Sequence, residues 1–445
     1  MKSNKKIRFL IILLVFGFGY GLEWKTLYPN ARANASMIVD SINQRIILFG
    51  GMTLRLNNRI YNDVWELPLD TTQPYIWFPL SVSGNSPSPR YNHSAVYDQV
   101  HQRMLVFGGM ISGGVLLNEV WALNLVAGSE SWERLYPAGA SPVPRQATSA
   151  IYHPTRNSLI LFGGAGDYVW YNDLWELNLD SMVWREIIVP GQRPPPRNYG
   201  GVFFDANNNR MIIFGGNSEV FYNDLWSLDL TVGNEHWTEL HPTGSIPSPR
   251  TNFAYGYDRA NNKFYVFGGF TIQGGMVFLN DLYELDITTL NWTQITPSGD
   301  LPVERRNAAG VYDFFGNNFF IFGGDQYYDL YFGETYFIHL GTTDTPEWQS
   351  QPILNVAPSL FINSPSSDLV RIRYTMPKIC NIEIKIIDAN GRIVKNLFAG
   401  SINSTSGALV WNMNNNSGKK VGSGVYYCLL ETEDTKISKK FVIAK

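Results

Sequence analysis

The sequence predicts an all-β protein in which a six-bladed β-propeller is followed by a small β-sandwich. A unit of 52 to 58 residues recurs six times, and each unit holds short apolar runs rich in Val, Ile, Phe and Tyr. Pro, Gly, Asn or Asp bounds each run, as is typical of strands. Four strands per unit at this period predict a propeller blade. Paired glycines mark the units: Gly50/Gly51, Gly108/Gly109, Gly163/Gly164, Gly215/Gly216, Gly268/Gly269 and Gly323/Gly324.

Each unit has an apolar strand that closes in Gly-Gly, then an aromatic residue, then a tryptophan about ten residues later. This pattern resembles the kelch repeat over residues 22–350, which implies a six-bladed kelch propeller. It implies no single function, because kelch propellers serve as binding platforms and, less often, as enzymes. The aromatic residues are Trp65, Trp121, Trp175, Trp226, Tyr283 and Tyr336, and the tryptophans are Trp77, Trp132, Trp184, Trp237, Trp292 and Trp348.

The N-terminus predicts export. Residues 1–21 begin with lysines and an arginine, continue with an apolar run and offer small residues at Gly17, Gly19 and Gly21, which is the order of a signal peptide. An uncleaved N-terminal anchor is the alternative. No later stretch is apolar for long enough to span a bilayer, so we expect no transmembrane segment after cleavage.

The charge balance differs between the two halves of the chain. Removal of the signal segment would lower the net charge from −3 to −7. Residues 353–445 carry +6, which leaves −13 on residues 22–352. An acidic propeller argues against nucleic acid as a partner. A solvated, soluble surface is the simpler interpretation.

The first blade must be joined to the last. The segment Trp24-Lys25-Thr26-Leu27-Tyr28-Pro29 matches the outer strand at Trp132 in its Trp, Leu, Tyr and Pro. Propellers often close by mixing strands from both chain ends. We therefore expect residues 23–28 to form the fourth strand of the last blade, with the segment around Trp348 competing for that place.

One arginine and one acid recur at matched places in all six units. The arginines are Arg32, Arg90, Arg145, Arg197, Arg250 and Arg305, and the acids are Asp63, Glu119, Asp173, Asp224, Asp281 and Glu334. Their repetition predicts structural ion pairs with the bidentate fork of arginine. A charged rim that binds an anionic ligand is the alternative.

The loops after Gly-Gly differ between units and therefore carry the candidates for binding. They hold aromatic or basic side chains beyond the needs of the repeat, which suit sugars or peptides. Packing of these side chains on their own blade is the alternative. The candidates are Arg55, Tyr168, Trp170, Phe221, Tyr327 and Tyr328.

The sequence gives no sign of catalytic, metal or cofactor chemistry. The six histidines are scattered without metal-ligand spacing, and no nucleophile elbow or phosphate loop is present. Both cysteines lie outside the propeller, which excludes the cysteine–tyrosine copper chemistry of galactose oxidase. A metal-free kelch sugar epimerase is the enzymatic alternative, since its acid–base residues would leave no spacing signal.

After a Pro- and Ser-containing linker at 353–368, residues 369–445 read as about seven short strands, which predicts a β-sandwich. Its motifs are Asp388/Gly391/Arg392, Trp411, Gly418, Ser423-Gly424-Val425-Tyr426 and Lys439/Lys440. They resemble the Ig-like domain of flagellar hook-assembly proteins and the C-terminal sorting domain of the type IX (Por) secretion system. The second resemblance implies that secretion machinery is a partner. A structural appendage is the alternative.

Cys380 and Cys428 fall in this domain. In an exported sandwich they could pair or remain as free, buried thiols.

Together these patterns predict a secreted or surface-attached binding protein, with a protein or glycan ligand on the propeller loops and a C-terminal domain for secretion or attachment. The alternative is a carbohydrate-active kelch enzyme.

Overall fold

The computed structural model describes residues 29–54, 58–69, 75–299, 301–327, 330–340, 347–350, 359–362, 370–376, 380–402, 406–433 and 435–443. The predicted signal peptide at 1–21 lies outside these ranges. Within them the chain is built of strands, with one short 3-10 helix at Ser112–Gly114. The all-β prediction is confirmed.

Six antiparallel sheets of the propeller can be followed through the described residues, and each has four strands in chain order. The innermost strands are Ser36–Asp40, Ser94–Asp98, Ser149–His153, Gly201–Asp205, Ala254–Asp258 and Ala309–Asp313. The second strands are Arg45–Phe49, Arg103–Phe107, Ser158–Phe162, Arg210–Asn217, Lys263–Ile272 and Asn318–Phe322. The third strands are Val64–Pro68, Val120–Asn124, Leu174–Asn178, Phe221–Asp229, Met276–Asp286 and Thr335–His339. The outer strands are Phe78–Pro79, Ser131–Leu135, Val183–Glu186, His236–Leu240, Asn291–Ile295 and Glu347–Ser350.

Antiparallel order places the connections on two faces. The segment that enters each innermost strand and the loop between the second and third strands lie at one end of the blade, here called the loop face. The opposite end, with the turns after the first and third strands, is the turn face. Two short hairpins extend the loop face, Met52–Thr53 with Arg59–Ile60 and Asp325–Gln326 with Leu330–Tyr331.

The hydrophobic core is divided among the blade interfaces. The interface of blades four and five, for example, joins Phe214 to Phe264 and Trp292. Comparable clusters fill the other interfaces, including the one between blades one and six. Burial of apolar area between neighbouring blades is therefore what holds the ring together.

The paired glycines permit a close approach of consecutive blades. Gly108 has a φ of +64°, and a Cβ there would lie 2.7 Å from the carbonyl oxygen of Arg145 in the next unit. Its neighbour, Gly109, donates from its backbone N–H to that same carbonyl. A side chain at the first glycine would push the two blades apart.

Among the described residues, the last blade takes its outer strand from its own unit. The outer strand of blade six is Glu347–Ser350, which pairs with Thr335–His339. The prediction that residues 23–28 fill this place is therefore wrong, and those residues lie outside the described ranges. Two N–H···O bonds, from Arg32 to Phe332 and from Gly324 to Arg32, tie blade six to blade one. Arg250 is held to Tyr222 and Gly216 in the same way between blades four and five.

The linkers between blades form a further contact. Thr243–Gly244 and Ser298–Gly299 pair in parallel with the outer strand of the following blade. Single parallel bridges, Ser83 to Ser131 and Ala138 to Val183, occupy the same place at two other interfaces. The glycine of each of these linkers lies against the backbone of that strand.

The C-terminal segment folds as two sheets around one core. One sheet consists, in spatial order, of the strands Ser359–Ile362, Val370–Thr375 and Ser406–Trp411. The other sheet consists, in spatial order, of the strands Ile393–Ser401, Asn381–Asp388, Gly424–Glu431 and Lys436–Ile443. Trp411, Tyr426 and Phe441 pack together between the sheets. Ser359–Ile362 thus form a strand inside the segment predicted to be a linker, because Leu360 is apolar enough to join the core.

Both cysteines of this domain are free thiols. Cys428 is buried on a central strand, and burial raises the pKa of its thiol to about 12. Cys380 is half-buried at the edge of the same core. The alternative of free thiols, left open by the sequence, is the one seen here.

Candidate functional site

The repeated arginine of each unit enters its blade under the loop face and contacts the repeated carboxylate of the same blade. Arg197 donates from Nη1 and Nη2 to the two carboxylate oxygens of Asp224, each at 2.7 Å. It also donates to the carbonyl oxygen of Gly215, and its guanidinium lies 4.3 Å from the ring centroid of Tyr222. The shortest distances in the other units are 2.5 Å for Arg32–Asp63, 2.9 Å for Arg90–Glu119, 2.6 Å for Arg145–Asp173, 2.6 Å for Arg250–Asp281 and 3.9 Å for Arg305–Glu334.

These arginines are buried, so they do not present a charged rim to an anion in solution. In the first four units the carboxylate also accepts from the indole N–H of a third-strand tryptophan, as in the 2.7 Å bond from Trp226 to Asp224. Burial alone would raise the pKa of Asp63, but hydrogen bonding and the charge of Arg32 hold it below its usual value. The arrangement is that of an ionised, bidentate pair.

The sequence-based ligand candidates divide into three groups. Arg55 and Tyr328 lie outside the described residues. Tyr168, 99% exposed, and the half-buried Trp170 stand on the loop of blade three. Phe221 and Tyr327 belong to blades four and six, yet the structure connects them through two further aromatic rings.

That connection is an aromatic row across the loop face. Ring centroids lie 5.2 Å apart for Phe221 and Phe270, 6.2 Å for Phe270 and Phe278, and 4.8 Å for Phe278 and Tyr327. The guanidinium of Arg306 lies 5.2 Å and 5.5 Å from the centroids of Phe270 and Phe278. A cation over apolar rings gives the row both contact area and charge.

Beside the row, a polar group that we call the mouth cluster lies at the centre of the loop face: Tyr91, Tyr199, Arg306, Asp325 and Tyr331. Arg306 pairs with Asp325 at 3.1 Å. Asp325 is 2% exposed, and burial raises the pKa of its carboxyl group although Arg306 and Asn307 oppose the shift. Burial also raises the pKa of the Tyr199 and Tyr331 phenols, and the charges of Arg306 and Asp325 reach both.

The loop tips add exposed apolar side chains to the same face. Each of the six blades contributes at least one such side chain, although a soluble surface usually keeps them scattered. Their exposed fractions are 42% for Leu54, 53% for Val115, 99% for Tyr168, 56% for Val220, 59% for Ile272 and 58% for Tyr327.

Sequence reasoning missed a ring of residues around the channel mouth, each two positions after a repeated arginine. Their backbone N–H groups donate head to tail, as from Ala147 to Asn92 at 2.8 Å and from Asn307 to Asn252 at 2.7 Å. All six have positive φ, which asparagine tolerates better than most residues. Asparagine at four of the six positions was the available signal: Asn34, Asn92, Ala147, Tyr199, Asn252 and Asn307.

Two buried ionic networks on the turn face were also missed. Arg45 contacts Asp40 and Glu66 of its own blade and Glu130 of the next. Arg156 contacts Glu235 of the next blade in the same manner. The carboxylate from the next blade lies in a Gly-x-Glu sequence, at 128–130 and at 233–235, but among the six blades this sequence occurs only in blades two and four.

The central channel encloses about 470 Å³ and is lined mainly by the innermost strands. Its lining includes Tyr97, Tyr255, Tyr257 and Arg259 but no Asp or Glu. The lining of the channel therefore holds no carboxylate for the acid–base step of a sugar epimerase. Among the described residues, Asp325 of the mouth cluster is a carboxyl group that could take that role.

The described part of the chain shows neither a metal-ligand cluster nor a membrane-spanning helix. No three His, Cys, Asp or Glu side chains are grouped as metal ligands would be. No helix in these ranges has the length and apolar character needed to cross a membrane.

Comparison with known proteins identifies both parts of the chain. Residues 60–269 and 256–361 match the family model described as "KLHDC2/KLHL20/DRC7 Kelch-repeats domain". Residues 363–444 match "Secretion system C-terminal sorting domain". A solved structure titled "Structure of YjhT" superposes with a TM-score of 0.55 at 16% identity, covering 73% of this chain and 99% of that one. At this identity the likeness shows the fold alone.

Curated relatives share the propeller region. The flagellar outer-arm dynein alpha chain of Chlamydomonas reinhardtii is 30% identical over 66% of this chain, host cell factor of Drosophila melanogaster 28% over 62%, and human host cell factor 1 30% over 58%. The matches span only 7%, 20% and 13% of those proteins. Since the family model covers more than half of this sequence and its repeats form the blades described above, the chain belongs to the kelch-repeat family, with a C-terminal sorting-type domain attached.

Proposed function

We propose that this chain is an exported binding protein, whose propeller takes a protein partner on its loop face and whose C-terminal domain directs export to the cell surface or medium. The observation that carries the proposal is the concentration of exposed apolar tips around the aromatic row and the mouth cluster. The proposal does not depend on the activity of any relative.

The loop face has the composition of a protein interface. Tyr, Phe and Arg are enriched among the residues that dominate binding energy, and these types form its centre. Tyr327 can be covered by a partner without any change in the blades, since it is exposed and follows the first strand of the short hairpin above blade six. Side chains held on rigid strands lose less entropy on binding.

Export is supported by the match of residues 363–444 to a sorting domain. The final strand, Lys436–Ile443, is an edge strand with exposed Lys436, Lys439 and Lys440. Lysines on an edge oppose nonspecific strand pairing and leave the domain available to a specific receptor. The predicted signal peptide at 1–21 would supply the first step, across the inner membrane.

Site-specific cross-linking in the producing cell tests the partner proposal. A photo-reactive amino acid at Tyr168 or Tyr327 should cross-link to one and the same protein. The matched control is Val232, which is also exposed but lies on the turn face. When Phe278→Ala and Arg306→Ala are added to the chain, the yield of cross-linked product from Tyr168 or Tyr327 should decrease strongly. Circular dichroism should show that the fold is retained.

Two outcomes would count against a protein partner on the loop face. Cross-links that form only from Val232 would place the interface on the turn face. Binding of the purified protein to a glycan array, lost in the same double variant, would replace the protein partner by a glycan.

The second candidate is a metal-free enzyme acting on carbohydrate. The observation in its favour is that the mouth cluster brings an arginine, a carboxyl group of raised pKa and three tyrosines together. Deuterium exchange into a panel of monosaccharides, followed by NMR, tests it. If the parent protein catalyses deuterium exchange and Asp325→Asn abolishes it, the enzymatic function is established. If the parent protein gives no exchange above the protein-free rate, the enzymatic function is excluded for the sugars tested.

A further inference from the structure

Arg259 is an arginine without an ionic partner at the turn-face end of the central channel. It follows the innermost strand of blade five directly and is exposed. Among the described residues, no carboxylate lies within ion-pair distance of its guanidinium. Its neighbour Asp258 is already engaged, because it accepts from the Tyr312 hydroxyl at 2.9 Å and from Asn261 Nδ2 at 2.7 Å.

Arg259 borders two adjoining cavities. One is the channel of about 470 Å³, and the other is a cavity of about 240 Å³ beneath blades two to four. Tyr97, Ala150 and Val202 also line both, so the cavities meet at this point. Their combined size is that of a small-molecule site.

The walls near Arg259 are apolar and aromatic. Tyr257, Phe314, Val39 and Ala150 are among the residues that line the channel. The hydroxyl groups of Tyr97 and Tyr257 are hydrogen-bonded to Asp40 and Asn262 at 3.0 Å each, which leaves ring surface rather than phenol groups for a ligand.

Arg259 gives this end of the channel an exposed positive charge, whereas carboxylates that end the innermost strands, such as Asp40 and Asp98, are buried and paired with arginines of their own blades. Neither cavity has an Asp or Glu in its lining, and Arg259 is the arginine that both share. A guanidinium at the edge of an apolar cavity attracts a carboxylate more strongly than one in open water, because the local dielectric is lower. It can also bind both carboxylate oxygens.

We infer that the turn-face end of the channel binds a small aromatic carboxylic acid, with its ring between Tyr257, Phe314 and Tyr97 and its carboxylate on Arg259. This site is separate from the loop face. Asn252 and Arg259 flank the same innermost strand, and seven residue steps at about 3.3 Å put them roughly 23 Å apart. A ligand of this class and a loop-face partner could therefore bind together.

Titration calorimetry on the full chain tests the inference with 3-phenylpropionate and its uncharged analogue 3-phenylpropionamide. The acid should bind saturably with a stoichiometry of one. The amide should bind at least about tenfold more weakly, which corresponds to the loss of a charged, bidentate hydrogen-bond pair. Arg259→Gln should lower the affinity for the acid by a similar factor and leave the affinity for the amide unchanged.

Two matched variants complete the test. Arg193→Gln removes an exposed arginine outside both cavities and should bind the acid like the parent. Ala150→Phe fills the junction of the cavities and should reduce binding of both probes, with its fold checked by an unchanged melting temperature. The inference is overturned by equal binding of acid and amide, by an unaffected Arg259→Gln variant, or by the absence of saturable acid binding to the parent protein.

Discussion

At the scale of single residues, the repeated arginines each join two blades. The backbone of Arg197 accepts from Gly164 of blade three, while its side chain binds Asp224 and Gly215 of blade four. One residue therefore fixes both the approach of two blades and the loop that follows. This double use explains why the same residue type recurs at every interface.

Removal of one carboxylate should measure this contribution. Asp224→Ala leaves the buried Arg197 and the indole of Trp226 without their acceptor, and should cost about 3 kcal/mol of stability. Glu334→Ala is the matched control, because its side chain is 55% exposed and 3.9 Å from Arg305, and should cost under about 1 kcal/mol. The midpoints of urea unfolding give the comparison, and equal losses would contradict it.

His93 should make stability depend on pH. Burial, and then the charge of Arg90, lower the pKa of its imidazole to about 3, while its Nε2 lies 2.7 Å from the hydroxyl of Ser36. The pKa of a histidine in the unfolded chain is near 6.5. Between about pH 6.5 and 3, His93 is therefore protonated in the unfolded chain and neutral in the folded protein. The contribution of His93 is therefore present above about pH 6.5 and is lost as the pH falls.

Between pH 7 and 5 this amounts to about 2 kcal/mol of lost stability. His93→Gln should flatten the pH dependence of the unfolding midpoint by that amount, whatever it does to stability at pH 7. His241→Gln, which changes an exposed histidine, is the control. A slope that is the same in all three proteins would show that His93 is protonated in the fold.

The sequence predicted side-chain partners where they repeat and missed them where they do not. Six arginines and six acids at constant spacing indicate a common contact. Arg306 and Asp325, by contrast, occur in one blade, and they meet the aromatic row because the extended hairpin of blade five brings Phe270 and Phe278 to Arg306. No periodic signal encodes such a contact, so only the candidates Phe221 and Tyr327 pointed toward it.

At the scale of elements, the linkers between blades act as short parallel strands. Ala138 pairs with Val183, and the adjacent Gly139 sits against the outer strand of blade three. A Cβ at Gly139 would lie 2.7 Å from the carbonyl oxygen of Trp184, whereas one at Gly191, in the next linker, would meet nothing within 4 Å. The two glycines have nearly equal φ, +85° and +88°.

This pair separates backbone strain from steric contact. Gly191→Ala should cost about 1 kcal/mol through its positive φ alone. Gly139→Ala should carry the same strain together with a clash that displaces the linker, and should cost at least twice as much. Thermal unfolding of the two variants provides the measurement, and equal shifts in melting temperature would mean that the linker contact contributes nothing.

The wrong assignment of the last outer strand has a physical origin. Residues 24–29 and the segment around Trp348 both have the tryptophan and flanking polar residues of an outer strand. Strand pattern alone cannot choose between them, because an outer strand has only one neighbour to satisfy. The choice is made by the register with Thr335–His339, which is a property of the folded blade.

At the scale of the molecule, the chain has two kinds of core. The propeller distributes its apolar contacts among blade interfaces, and the C-terminal domain has a single cluster around Trp411. Fold class and blade number followed from periodicity, since every unit carried the same signals. The partner surface did not, because a repeat defines what the blades share and binding depends on what differs.

The C-terminal domain should be dispensable for folding and necessary for location. Its strands bury their own core, so a chain ending at Pro352 should melt at the temperature of the parent propeller. In the producing cell that chain should remain in the periplasm. Fractionation tests this, with the double substitution Lys439→Gln, Lys440→Gln as a folded comparison. Normal release of the truncated chain would show that the domain has no role in sorting.

The closure of the ring has a consequence for where such a chain can begin. Blade six meets blade one through the same glycine and arginine hydrogen bonds that join blades four and five, and the outer strand described for blade six, Glu347–Ser350, comes from its own unit. The order of the blades in space is therefore independent of the point at which the polypeptide is opened. A circularly permuted gene that starts in the linker before Arg197 and joins the old ends by a flexible connection should encode the same ring.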